Sequence, residues 1–122
     1  MKKNNGFTLI ELLAVIVILA VIALIATPAV LNIIDDARKS SAERSTEALV
    51  EATKTYYLTE MAKTGTAPTT FDSTTIKVDN APSTFGTITV TATDGIPSVT
   101  ITGAKFGDYT CGYSSNKATC SK

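Results

Sequence analysis

Residues 7–26 form a run of 20 in which only Thr8 and Glu11 are polar. As an α-helix, such a run spans about 30 Å, which is the thickness of the hydrocarbon core of a bilayer. The run is apolar on every side, so the helix needs an apolar environment all round. A chain of 122 residues is too short to bury it in a core of its own. The segment therefore requires a membrane or an assembly of several chains.

Charged side chains on either side of the apolar run predict its orientation. Lys2 and Lys3 precede it, whereas Asp35 and Asp36 follow its weaker extension through residue 34. The positive-inside rule then places the N-terminus in the cytoplasm and the rest of the chain outside.

Three interpretations fit an apolar N-terminus of this kind. It is a secretory signal peptide cleaved near residues 26–29, a plain signal anchor, or a segment whose leader is cut off before the apolar run. Against the first, the run is long, Glu11 interrupts it and Pro28 lies in the candidate cleavage region. Residues 6–12, where the run begins, decide among the three.

Those residues form a recognisable motif: Gly6, Phe7, Thr8, Leu9, Ile10 and Glu11, preceded by a short basic leader and followed by an apolar helix that contains Pro28. With this motif the sequence strongly resembles type IV pilins and the pseudopilins of type II secretion and competence systems. The resemblance is close over about the first 40 residues. It implies that a prepilin peptidase cuts between Gly6 and Phe7 and that the new Phe7 amine is methylated. The mature chain then carries 9 basic and 11 acidic side chains, a net charge of −2.

Glu11 is the acidic residue of the apolar run. A charged side chain at the centre of a bilayer costs about 2.5–3.5 kcal/mol on insertion scales, so this carboxylate is protonated or partnered there. One interpretation is a protonated glutamate that lipid merely tolerates. The resemblance implies the other, in which Glu11 pairs with the Phe7 amine of a neighbouring subunit and sets the register of assembly.

Pro28 predicts a break in the helix. It lacks an N–H and its ring crowds the carbonyl of Leu24. The plain interpretation is an ordinary kink of a membrane helix. The resemblance implies more, namely that residues 24–28 unwind when the subunit packs into a filament.

Residues 35–63 hold 11 of the 22 charges and contain no Gly or Pro. We predict that they continue the helix as an amphipathic half whose apolar face docks on a sheet. The predicted docking face consists of Ala42, Ser45, Leu49, Ala52 and Tyr56, and it is flanked by Val50, Tyr57 and Met61.

Residues 64–122 contain 15 Thr and 6 Ser, and their alternation predicts a small antiparallel sheet. Four strands are expected at residues 87–93, 98–102, 109–113 and 118–121, with a turn at Asp94-Gly95 and a connection over residues 114–117. A short extra strand is expected at residues 74–78 and a loop at 65–73. Fold class is therefore α+β, a pilin-like long helix packed on a C-terminal sheet.

Cys111 and Cys120 are the two cysteines of the chain. An even count on the outer side of a membrane favours a disulfide, and the loop between them is worth slightly under about 3 kcal/mol in the chain-entropy model. A redox-active pair is the alternative, but it favours the CxxC spacing that is missing here. Many pilins carry a C-terminal disulfide loop, so the resemblance implies that residues 114–117 lie on the surface.

Catalysis is not expected of this chain. It contains no His, which excludes Ser–His and Cys–His nucleophile pairs. The scattered Asp72, Asp79, Asp94 and Asp108 lack the spacing of a calcium loop, so neither a metal site nor a cofactor is predicted.

Four segments result: a leader (residues 1–6), a transmembrane and filament-core helix (7–34), the amphipathic half of that helix (35–63) and the disulfide-closed sheet (64–122). We expect a major subunit of a type IV pilus-like filament, held in the cytoplasmic membrane before assembly and on the cell surface afterwards. Expected partners are copies of the chain in a homopolymer, the prepilin peptidase, the pilus assembly platform and the inner membrane. A DNA or surface ligand is left open. The alternatives are a pseudopilin of a secretion or DNA-uptake system and a membrane-tethered extracellular binding module.

Overall fold

One long helix and one sheet make up the computed structural model, which describes residues 6–122. The elements, in chain order, are α1 (Leu9–Thr64), β1 (Thr87–Thr93), β2 (Ile96–Phe106), β3 (Tyr109–Ser114) and β4 (Lys117–Ser121). The strands form a single antiparallel sheet in the order β1-β2-β3-β4. This arrangement confirms the predicted α+β class, a long N-terminal helix packed on an antiparallel sheet.

The chain divides into two compact units. The first ends at Asp36 and contains the apolar part of α1, and the second extends from Ala37 to Lys122 and contains the rest of α1 and the sheet. Of the predicted leader, only Gly6 belongs to the described residues. Lys2 and Lys3, which carry the predicted orientation, lie outside them.

The buried face of α1 in the second unit is rotated slightly from the predicted one. Its buried residues are Ala42, Thr46, Leu49, Val50, Thr53 and Tyr57. Ser45, Ala52 and Tyr56 are only half-buried, and Met61 is exposed.

Two buried threonines account for that rotation. Thr46 and Thr53 are fully buried although threonine is a polar residue. The Thr46 hydroxyl donates a hydrogen bond to the carbonyl of Ala42 at 2.8 Å, and the Thr53 hydroxyl donates one to the carbonyl of Leu49 at 2.7 Å. Each hydroxyl is thereby satisfied inside the helix, which removes most of the cost of burying it.

Strands β1 and β2 form the predicted hairpin. Asp94 and Gly95 both have positive φ angles, 54° and 79°, as a two-residue turn of type I′ requires. β2 continues well beyond the predicted residues 98–102 because the register shifts between Ile101 and Ala104. Gly103, with φ 77°, absorbs the extra residue.

Strands β3 and β4 also lie where the sequence predicts them. Ser114 pairs with Lys117 at the end of the ladder, and the turn between them has positive φ angles at Ser115 and Asn116. Cys111 and Cys120 face each other directly across the two strands and form the predicted disulfide, with their Cα atoms 4.1 Å apart.

The prediction of a short strand at residues 74–78 is wrong. The first two of these residues, Thr74 and Thr75, belong to a turn in which a carboxylate oxygen of Asp72 accepts hydrogen bonds from both of their backbone N–H groups, at 2.9 and 3.2 Å. A side chain that binds the backbone in this way competes with a strand ladder. The turn leads into Ile76, which is buried. Residues 65–73 form no helix or strand, as predicted.

The core of the second unit lies between α1 and the inner face of the sheet. The buried residues of the main cluster are Leu49, Val50, Ile76, Val99, Ile101 and Ala104. A second cluster contains Ala42, Tyr109, Cys111 and Cys120. The disulfide therefore belongs to the packed interior and fixes β3 to β4 beneath the helix.

Candidate assembly and processing site

The predicted cleavage point precedes helix α1, the first helix of residues 6–122. Gly6, Phe7 and Thr8 are not helical, and α1 begins at Leu9. The Phe7 side chain is 88% exposed, and a Cβ added to Gly6 would meet no atom within 4 Å. The Gly6–Phe7 bond is thus accessible and lies in non-helical backbone, the condition in which a chain is most open to proteolysis.

Thr8 caps the start of α1. Its hydroxyl oxygen accepts a hydrogen bond from the backbone N–H of Glu11 at 3.2 Å. Thr8 and Glu11 have the spacing of a capping box, S/T-x-x-E, which satisfies N–H groups that would otherwise have no partner in the first turn. The S/T-x-x-E spacing of Thr8 and Glu11 is the signal in the sequence from which this helix start could have been predicted.

Every large apolar side chain of residues 7–34 is exposed. Their exposure ranges from 39% at Ile34 to 88% at Phe7. This part of α1 is long and apolar enough to cross a membrane, and a signal sequence at this position meets the same description. The exposed apolar surface of the first unit thus consists of side chains that water solvates poorly.

Glu11 lies on this apolar surface, in the first turn of α1. Within residues 6–122, its side chain forms no ion pair. The assembly role of Glu11 stays a prediction.

Pro28 lies inside helix α1, which continues from Leu9 to Thr64 in the single chain. The proline removes only the hydrogen bond that its own N–H would give to the carbonyl of Leu24, and the flanking turns carry the helix past it. Next to it, the Thr27 hydroxyl donates a hydrogen bond to the carbonyl of Ala23 at 2.6 Å. The predicted discontinuity in a filament remains a prediction.

The second unit offers little chemistry of its own. In the described part of the chain, no three His, Cys, Asp or Glu side chains lie close enough to hold a metal ion. Hydrogen bonds from the hydroxyl and backbone N–H of Thr74 hold the pKa of Asp72 below its usual value. Because Asp72 is a turn residue, this shift reflects local structure and not a reactive site.

Comparison with known families matches the N-terminus alone. Residues 1–27 match the family described as the prokaryotic N-terminal methylation motif, which is the class III signal peptide of type IV pilins and pseudopilins. No curated protein and no solved structure matches the chain.

The motif supports a type IV pilin-like or pseudopilin protein and suggests a structural subunit. It implies processing by a prepilin peptidase and handling by pilus assembly machinery. Together with the apolar helix it suggests insertion into a membrane and a later place in a surface filament.

Proposed function

We propose that the chain is the major structural subunit of a type IV pilus-like surface filament. The observation that carries the proposal is the exposed apolar surface of residues 7–34, of which residues 7–27 lie within the methylation motif. A plain anchor would need such a surface only for lipid. A processed subunit uses the same surface twice, first in the membrane and then against other copies of the helix.

Assembly moves the helix from lipid into a bundle of like helices. Lipid tails and leucine side chains are similarly apolar, so hydrophobicity alone does not favour the move. The filament is instead favoured by packing between helices and by a polar contact that exists only in the filament. Glu11 is the acidic residue that lies on this surface, and the Phe7 amine created by cleavage is its natural partner.

The pairing of Glu11 with Phe7 specifies register. Both charges are costly in an apolar environment, and they compensate each other only when two subunits meet at one axial offset. Thr8 supports this geometry because its cap fixes where α1 starts, and hence where Glu11 lies relative to Phe7. The N-terminus is then cytoplasmic before assembly, and the disulfide-closed sheet lies outside the membrane.

Processing is tested first, by intact mass and N-terminal sequencing of the chain isolated from producing cells. The proposal expects a chain that begins at Phe7 and carries one additional methyl group. A chain that begins at Met1, or beyond Ala26, would contradict it.

Assembly is tested by Glu11→Ala, compared with Glu47→Ala as the matched control. Both variants lose one carboxylate, but Glu47 lies exposed on the amphipathic half of α1. We expect Glu11→Ala to leave processed chain in the membrane while filaments disappear from electron micrographs, and Glu47→Ala to assemble normally. Normal filament yield from Glu11→Ala rules out the register role. Short structures confined to the cell envelope in the unmodified strain would instead identify a pseudopilin.

A further inference from the structure

Strand β1 is an edge of the sheet whose outer side has no partner. It pairs with β2 alone, and its residues form no backbone hydrogen bond outside the sheet in the part of the chain that the structure describes. The hairpin closes at Thr93 and Ile96 around a two-residue turn, so the odd-numbered residues of β1 exchange hydrogen bonds with β2. The N–H and C=O groups of Ile88, Val90 and Ala92 therefore face the open edge.

Pro97 agrees with this alternation. It stands opposite Ala92, at a position where neither residue bonds to the other strand, so the N–H that proline lacks costs the hairpin nothing.

The open edge of β1 also lacks the features that usually prevent edge-to-edge pairing. Proteins protect edge strands with charges, prolines or bulges. Strand β1, with the sequence TITVTAT, has none of these, and its register with β2 is uninterrupted. The opposite edge differs, because Lys117 begins β4 and Lys122 follows it.

We infer that the β1 edge pairs antiparallel with β1 of a second copy of this chain, centred on Val90. In that register Val90 lies opposite Val90 of the other copy, and Ile88 lies opposite Ala92. Because the residues that face each other are those with outward backbone groups, the pairing forms about six new hydrogen bonds.

The second copy is the occupant that the side chains of this edge favour. In this register the apolar residues of the two strands share one face and the threonines share the other, since residues two apart point the same way. Asp94 of one copy lies opposite Gly86 of the other, so no like charges meet. A partner of different chemistry would have to present an apolar face and a polar face in the same register, which a second β1 strand already does.

The symmetry of this contact decides where it can form. A two-fold contact uses the same edge on both chains and is complete with two copies, whereas the screw symmetry of a filament repeats head-to-tail contacts. The β1 pairing therefore connects chains of adjacent filaments. One strand pair is weak alone, but many along two filaments act together. Lateral bundling of filaments follows; this consequence, unlike the edge itself, rests on the proposed function.

The register predicts which cysteines will cross-link. Thr89 of one copy lies opposite Thr91 of the other in a pair without mutual hydrogen bonds, where Cα atoms are about 4.5 Å apart and a disulfide can close. Thr89 lies more than about 7 Å from Thr89 of the other copy, too far for a disulfide. We therefore propose co-expressing full-length Thr89→Cys and Thr91→Cys chains in the producing cells.

We expect disulfide-linked dimers about tenfold more abundant in the co-expressing cells than with either variant alone. The control pairs Thr89→Cys with Thr102→Cys, which is exposed but lies on β2, one strand in from the edge. Adding Ala92→Pro to both chains removes an outward N–H without touching a β1–β2 hydrogen bond, so it should return dimers to the level of the control.

Absence of dimers in the co-expressing cells overturns the inference, as does equal cross-linking in the Thr102→Cys control. The native Cys111–Cys120 disulfide, measured in each variant, reports that the unit has folded. Electron microscopy of the same cells tests the proposed function separately. Cross-linked chains in cells without filaments would refute the proposed filament function but support the β1 pairing. Well-separated filaments without cross-links would support the filament function but refute the β1 pairing.

Discussion

The hydroxyl oxygen of Thr46 lies 3.9 Å from the sulfur of Cys120, both of them buried, where α1 packs against the disulfide between β3 and β4. Thr46 already donates its hydroxyl hydrogen to the carbonyl of Ala42 within the helix. The contact with the sulfur is therefore one of packing, and the size of the threonine side chain matters more than its polarity.

Substitutions at Thr46 separate size from polarity. Thr46→Val should change the free energy of unfolding by less than about 1 kcal/mol, because the carbonyl of Ala42 keeps its helical hydrogen bond. Thr46→Leu should cost about 1–3 kcal/mol, because there is no space for the larger side chain. Thermal unfolding of the full chain in detergent micelles, followed by the near-ultraviolet circular dichroism of its tyrosines, measures both. Greater destabilisation by Val than by Leu would contradict the packing role.

Loss of the disulfide should weaken the second unit. The double variant Cys111→Ala and Cys120→Ala is expected to lose about 2–3 kcal/mol of stability, since a short closed loop no longer restricts the unfolded chain. That loss corresponds to a midpoint lower by about 4–8 °C for each kcal/mol. The same measurement on reduced, unmodified chain is the control and should give a similar shift. An unchanged midpoint in both samples would show that packing around the two sulfur atoms is sufficient.

The strands and the disulfide could be predicted from the sequence because their signals are local. Asp94-Gly95 lies between two alternating segments, and two cysteines leave one pairing. The buried face of α1 was harder to predict, because Thr46 and Thr53 count as polar until their hydroxyls are seen to bond back to the helix. A spacing of seven residues between them, in phase with Leu49 and Val50, was the available signal.

The wrong strand at residues 74–78 has a different cause. Its composition suits a strand, but the Asp72 carboxylate binds the two backbone N–H groups that a strand would give to a neighbour. Such a choice between a turn and a ladder depends on which neighbour is available, and that depends on the rest of the fold. The assembly residues pose the same problem on a larger scale, since the partners expected for Glu11 and Pro28 are other chains.

Gly86, which directly precedes β1, should be the least replaceable glycine of the second unit. It has a φ of 65°, and a Cβ placed on it would overlap the carbonyl oxygen of Thr102. Gly86→Ala should therefore cost about 2–5 kcal/mol, combining backbone strain with a clash against fixed backbone atoms.

Gly95→Ala is the matched control for Gly86→Ala. Gly95 also has a positive φ, 79°, but a Cβ there meets nothing within 4 Å. Its cost should be limited to the left-handed conformation, about 1–2 kcal/mol. Thermal midpoints of the two variants in micelles provide the comparison. Equal midpoints would mean that the backbone near Thr102 shifts freely to admit the methyl group.

The Asp72 turn should depend on pH. The hydroxyl and backbone N–H of Thr74 lower the pKa of Asp72 from 3.8, so the ionised carboxylate favours the folded turn. The direction of the pH dependence follows from linkage between ionisation and folding. The stabilisation by the ionised Asp72 carboxylate is present above pH 3.8, and it is lost as the pH falls through the lower pKa of the folded state. The thermal midpoint of Asp72→Ala should therefore lie below that of the unmodified chain at pH 7 and approach it near about pH 2. Asp79→Ala, which removes a carboxylate without removing the turn, serves as the control. A midpoint difference that stays constant with pH would contradict this account.

Pro28 should matter to the filament and not to the single chain. Helix α1 passes through it unbroken here, so the proposed unwinding of residues 24–28 belongs to assembly. Pro28→Ala restores a helical hydrogen bond to Leu24 and makes unwinding costlier by about 3 kcal/mol for each subunit. We expect the processed variant to reach the membrane in normal amounts but to form fewer filaments. Electron cryomicroscopy of unmodified filaments provides the direct check, because a continuous helix through residues 24–28 would refute the proposed unwinding.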